Sequence, residues 1–110
     1  MTELQKGAKL VYVRLCKTDS VPAGDFRQFN VKKNEILVVN LDGRFICLAA
    51  RCTHAGAPLA QGDLRRDVLV CPWHGSNFRV TDGAVLKGPA EKPLRVYPSI
   101  VKEGELFIEL

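Results

Sequence analysis

Two short segments, Cys52-Thr53-His54 and Cys71-Pro72-Trp73-His74, carry the most chemistry in this chain of 110 residues. Each supplies one thiol and one imidazole, and His54 and His74 are the only two histidines present. A solvated histidine has no reason to sit two or three residues beyond a cysteine, and here both do. Thiolate favours soft, electron-rich metals, and imidazole suits zinc, copper and iron. Two thiolates with two imidazoles therefore point to tetrahedral zinc or to an iron–sulfur centre.

Order separates these two. Zinc sites with this ligand set usually pair like with like, as Cys-x2-Cys followed by His-x3–5-His. Here the order is Cys, His, Cys, His, so each segment delivers one ligand of each kind. That suits a centre with two unlike irons, both cysteines on one and both histidines on the other, as in a Rieske [2Fe–2S] centre. The segments that follow strengthen the match: Ala55-Gly56-Ala57-Pro58-Leu59, Gly75-Ser76-Asn77-Phe78, Thr81-Asp82-Gly83 and Gly88-Pro89-Ala90. From about Leu10 to Leu110 the chain resembles the Rieske family. The resemblance implies one [2Fe–2S] cluster per chain, with Cys52, His54, Cys71 and His74 as its ligands.

Those ligands need rigid elements to hold them. The chain reads as short strands broken by turns: Lys9 to Cys16, Phe26 to Val31, Glu35 to Leu41, Arg44 to Ala50, Asp67 to Cys71, Phe78 to Val80, Ala84 to Leu86, Leu94 to Val101 and Glu105 to Leu110. Asp42-Gly43 between two β-rich runs is a strong hairpin signal. Other turns are expected at Lys33-Asn34, Asp82-Gly83 and Glu103-Gly104. Helical periodicity is confined to a short stretch near Ala57 to Gln61. Short strands with glycine turns imply an all-β fold, an antiparallel sandwich or barrel. The family resemblance narrows this to an antiparallel β-sandwich with a small cluster-binding subdomain. In that arrangement the two ligand loops lie side by side at the tip, one launched from Arg44 to Ala50 and one from Asp67 to Val70. Gly88-Pro89 corresponds to a loop covering the third side.

At this length a single domain, residues 1–110, can bury a core without disulfides. The composition is that of an ordinary globular protein, 46% hydrophobic and 25% charged. No apolar run approaches the ~18 residues of a membrane helix, and Met1 to Lys9 lacks the apolar centre of a signal peptide. The expectation is a soluble cytoplasmic protein. Cys16 and Cys47 lie in apolar alternating runs and are expected as core packing rather than a disulfide. The net charge of +4 is too small and too dispersed for nucleic acid, and it suits an acidic protein partner. If Arg51, Arg65, Arg66, Lys87 or Arg95 surround the tip, docking is expected to weaken with salt.

The resemblance also implies function: a soluble one-electron carrier taking electrons from a reductase to a terminal oxidoreductase such as an oxygenase. No residue set here supports substrate chemistry, so neither enzymatic activity nor a small-molecule substrate is expected. Ser76 matches a serine that donates to a cluster sulfur in high-potential relatives, whereas Phe78 replaces their tyrosine and removes a donor. Ala57 and Trp73 stand where those relatives carry a disulfide. Trp73 is expected to pack against the loops rather than dock a partner. Two rival readings are the small subunit of a larger reductase, of the nitrite reductase kind, and a structural zinc module for protein interaction.

Overall fold

Residues 11–110, which the computed structural model describes, form eleven short strands and two 3₁₀ turns. The strands are β1 Tyr12–Lys17, β2 Phe26–Val31, β3 Asn34–Leu41, β4 Arg44–Ala49, β5 Asp63–Arg65, β6 Val68–Val70, β7 Asn77–Arg79, β8 Val85–Lys87, β9 Val96–Tyr97, β10 Ser99–Lys102 and β11 Glu105–Glu109. They pair throughout as antiparallel ladders in three sheets, ordered β1-β11-β10, β2-β3-β4-β9 and β5-β6-β7-β8.

The β2-β3-β4-β9 sheet is the middle layer, because its two inner strands are apolar on both faces. Successive side chains on a strand point to opposite faces. On one face Leu37 opposes Leu48 and Val39 opposes Ile46; on the other Ile36 opposes Ala49 and Val38 opposes Cys47. The first set packs with Leu59, Leu69, Phe78, Val80 and Leu94 of the sheet and loops that carry the candidate ligands. The second set packs with Cys16, Leu106 and Ile108 of the β1-β11-β10 sheet. Each fully buried aliphatic side chain contributes about 1.5–3 kcal/mol. The middle layer therefore ties the subdomain that carries the candidate ligands to the rest of the sandwich.

Turn chemistry fixes the registers. Asp42 (φ 54°) and Gly43 (φ 98°) both take positive φ, and so do Glu103 (φ 52°) and Gly104 (φ 76°); such two-residue turns match the strand twist. The β2–β3 turn falls on Lys32 and Lys33, at φ 47° and 66°, one residue before the expected Lys33-Asn34. Asn34 joins β3 and donates from its side-chain amide to the Lys32 carbonyl. The expected strand from Leu94 to Val101 is two strands in different sheets. Pro98 has no N–H to donate to a ladder, and the chain changes layer there: β9 pairs with β4, β10 with β11. Strand β5 is an addition, turned into β6 by Arg66 at φ 59°. The helical stretch near Ala57 to Gln61 is a 3₁₀ turn, Leu59–Gln61, and Thr18–Ser20 forms another. Lys9 and Leu10 of the first expected strand, and the polar segment Met1 to Lys9, lie outside the described residues. Among the described residues no helix is long and apolar enough to cross a membrane.

Candidate metal centre

Each candidate ligand pair sits in a loop closed by the same two backbone hydrogen bonds. In the first, Gly56 N–H donates to the Cys52 carbonyl (2.9 Å) and Cys52 N–H to the Ala57 carbonyl (2.9 Å). In the second, Gly75 N–H donates to the Cys71 carbonyl (3.3 Å) and Cys71 N–H to the Ser76 carbonyl (2.8 Å). Gly56 and Gly75 have φ of 73° and 78°, a conformation that suits glycine. The signal for this was a cysteine followed four residues later by glycine in both motifs. The loops leave β4 and β6; Arg51, just before Cys52, bridges to Pro58 and closes the base of the first.

The loops bring like donors together. Cys52 and Cys71 are buried, and their thiols lie within hydrogen-bonding reach of each other. Burial, followed by the neighbouring Cys71, pushes the Cys52 thiol up, while the backbone N–H groups of His54 and Ala55 donate toward its sulfur and oppose that rise. Those N–H groups are partners for a thiolate held by a metal. His54 and His74 are exposed, with ring centroids 5.0 Å apart and planes at 79°. A buried pair of thiols beside an exposed pair of imidazoles suits a centre with two metal positions, one for each pair.

A third loop closes over both. Thr53 Oγ1 donates to the Lys92 carbonyl at 2.6 Å, and Ala90 N–H donates to Ser76 Oγ at 2.9 Å. Pro89, Glu91 and Lys92 of that loop line a cleft of about 510 Å³ with Thr53 and His54. A second cavity, about 500 Å³, lies at the other ends of β4 and β6, lined by Asp42, Leu64, Arg66 and Asp67 among others. It contains none of the four candidate ligands.

Burial separates the two stitches energetically. The Lys92 carbonyl lies at the surface and can turn to water, but Ser76 and Ala90 are both buried. Ser76→Ala is therefore expected to cost about 1–3 kcal/mol, the penalty of an unsatisfied buried N–H. Thr53→Val should cost under about 1 kcal/mol. Urea midpoints of both variants test this; equal losses would show that burial does not set the difference.

Of the five basic residues that could surround the tip, three are engaged by neighbours and Arg66 lies elsewhere, while Lys87 is exposed at the end of β8. Arg51 makes a paired contact with Glu35 (2.8 and 3.1 Å) and donates to the Gly56 carbonyl (3.0 Å). Arg65 pairs with Asp63 at 2.8 Å, and Arg95 lies over the Tyr97 ring, 4.4 Å from its centroid. Arg66 lines the far cavity. Trp73, expected to pack against the loops, is 55% exposed; Phe78 is fully buried.

A family model described as the Rieske [2Fe-2S] domain matches residues 11–98. Ferredoxin CarAc of Metapseudomonas resinovorans is 32% identical over 99 residues, 89% of this chain and 92% of that protein. The 3-phenylpropionate/cinnamic acid dioxygenase ferredoxin subunit of Photorhabdus laumondii is 33% identical over 95 residues, 86% of this chain and 90% of that protein. A solved complex of reduced oxygenase and oxidized ferredoxin in carbazole 1,9a-dioxygenase contains a chain that superposes with a TM-score of 0.84 at 31% identity, covering 92% of this chain and 94% of that one.

Proposed function

Because the chain belongs to the Rieske [2Fe–2S] domain family, we propose that it is the ferredoxin of a dioxygenase system, taking single electrons from a reductase to a terminal oxygenase. It binds a [2Fe–2S] cluster and carries electrons; it is not itself the catalyst. We propose Cys52, His54, Cys71 and His74 as the ligands, residues 1–110 as one domain, and the cytoplasm as its place of work.

The observation that carries this reading is the split of the donors, thiols buried side by side and imidazoles exposed side by side. When bound, the cluster supplies a reversible one-electron couple, at a higher potential than one held by four cysteines. The chain's own residues do the rest. Cys52 and Cys71, both buried, would hold one iron from the core side, and the 88–92 loop, hydrogen-bonded to both ligand loops through Lys92 and Ala90, would keep those loops together. The N–H groups of His54 and Ala55 compensate the thiolate charge of Cys52. His54 and His74 present their rings at the surface, where a partner's redox centre can approach.

Anaerobic mixing of the reduced protein with a ring-dioxygenase oxygenase component tests the role. Expected is oxidation of the ferredoxin with matching reduction of the oxygenase, in proportion to the electrons supplied. A reduced protein that transfers no electrons to any such oxygenase would contradict the reading.

A further inference from the structure

Both ligand loops are closed by the same backbone bonds, but they are braced differently from outside. The residue before Cys71 is Val70, which has no side-chain donor; the residue before Cys52 is Arg51. Arg51 makes three contacts at once. Its Nε and Nη2 donate to the two carboxylate oxygens of Glu35 (2.8 and 3.1 Å), and its Nη1 donates to the Gly56 carbonyl (3.0 Å). Glu35 is a fixed anchor. It lies on β3, an inner strand of the middle sheet, and its own carbonyl accepts from Ala50 N–H at 3.2 Å. At the other end, Gly56 N–H donates to the Cys52 carbonyl. The guanidinium therefore ties the Cys52–Ala57 turn, on which His54 sits, to the middle layer. A planar fork holds such a contact, and an ammonium group cannot reproduce it.

The same contacts place a permanent charge at the base of the first loop. Arg51 holds the Glu35 carboxyl below its usual range, so at neutral pH the pair carries one positive and one negative charge. Reduction adds one negative charge to a [2Fe–2S] centre, and nearby charge is among the quantities that set its potential. The cation favours that electron and the carboxylate opposes it. We propose that Arg51 is a positioning residue for the cluster: anchored on Glu35, it braces the first ligand loop, and the charge balance of the pair sets part of the midpoint potential. This rests on the cluster-binding reading above. The two side chains are 53% and 37% exposed, so solvent and salt weaken the effect.

Redox titration of the purified holoprotein at low salt tests this, with Glu35→Gln, Arg51→Gln and the double variant. At a fixed electrode potential the reduced-to-oxidised ratio is expected to rise at least twofold in Glu35→Gln and to fall at least twofold in Arg51→Gln. Twofold is about 18 mV, since a tenfold change is about 59 mV for one electron. The double variant should return to within twofold of wild type. Loosening the loop cannot produce this pattern, because both single substitutions break the same bridge yet shift the ratio in opposite directions. Arg51→Lys keeps the charge and loses the fork. It should hold the ratio within twofold while amide hydrogen exchange over residues 52–58 quickens at least fivefold. If Arg51→Gln loses the cluster, Glu35→Gln must still show the rise and Arg51→Lys the faster exchange. Shifts of the same sign, shifts under twofold, or unchanged exchange in Arg51→Lys overturn the proposal and leave the cluster assignment standing. A wild type without iron and sulfide overturns both.

Discussion

Alanine at His54 or His74 is expected to cost the protein its cluster, with iron and acid-labile sulfide falling from about two of each per chain to near zero. Each imidazole is half of an exposed pair whose rings lie 5.0 Å apart, so no neighbouring histidine can take over. Cys52→Ala and Cys71→Ala should behave alike. The other two cysteines give the contrast. Cys16 and Cys47 are buried in the opposite core, between the middle sheet and the β1-β11-β10 sheet. Burial pushes the Cys47 thiol up to about 12 and raises that of Cys16 as well. Almost no thiolate exists there near neutrality, so both should resist alkylation in the folded protein. Cys16→Ala and Cys47→Ala should retain the cluster and lose only the packing of a small side chain. A cluster that survives Cys52→Ala but not Cys16→Ala would overturn the ligand assignment.

The second large effect is expected at a residue with no chemistry. Gly62 has φ −83°, a conformation open to any residue, yet it has no room for a side chain. A Cβ there would collide with the Val70 carbonyl and press on the Leu59 carbonyl (3.2 Å) and Pro72 Cδ (3.3 Å). Val70 ends β6 and leads directly into Cys71, and the obstruction is backbone that cannot swing aside. Gly62→Ala should cost about 1–3 kcal/mol by overpacking and should lower cluster occupancy by displacing the second ligand loop. Gly88→Ala is the control, because its Cβ would meet nothing nearer than 3.7 Å. Chemical denaturation and iron content measure both variants; a Gly62→Ala protein as stable and as iron-rich as wild type would show that β6 and its loop can shift freely.

The candidate site was legible in the sequence where it depends on residue type and order. A Cys-x-His and a Cys-x2-His in a chain with no other histidine leave few ways to combine the donors. Strands were legible where turns announce them: Asp42-Gly43 and Glu103-Gly104 name their hairpins because few residue pairs take positive φ twice. Where the turn uses ordinary residues, sequence reasoning fails. Arg66 turns β5 into β6, so β5 was missed, and Lys32 with Lys33 shifted a boundary by one. Pro98 divides two strands belonging to different sheets, a change of layer that periodicity does not encode. Contacts between distant segments were out of reach. The stitches Ser76–Ala90 and Thr53–Lys92, the pairing of Arg51 with Glu35 and the crowding at Gly62 depend on how loops meet in space. The exposure of Trp73 does too, since an aromatic residue inside a ligand motif reads equally well as packing.

The central claim is that one chain carries one electron at a two-iron centre. A coulometric reduction of the purified protein, with iron, sulfide and zinc measured on the same sample, tests it most directly. The account predicts uptake of about one electron per chain, with about two irons, about two sulfides and negligible zinc. Stoichiometric zinc without sulfide, and no electron uptake, would contradict it.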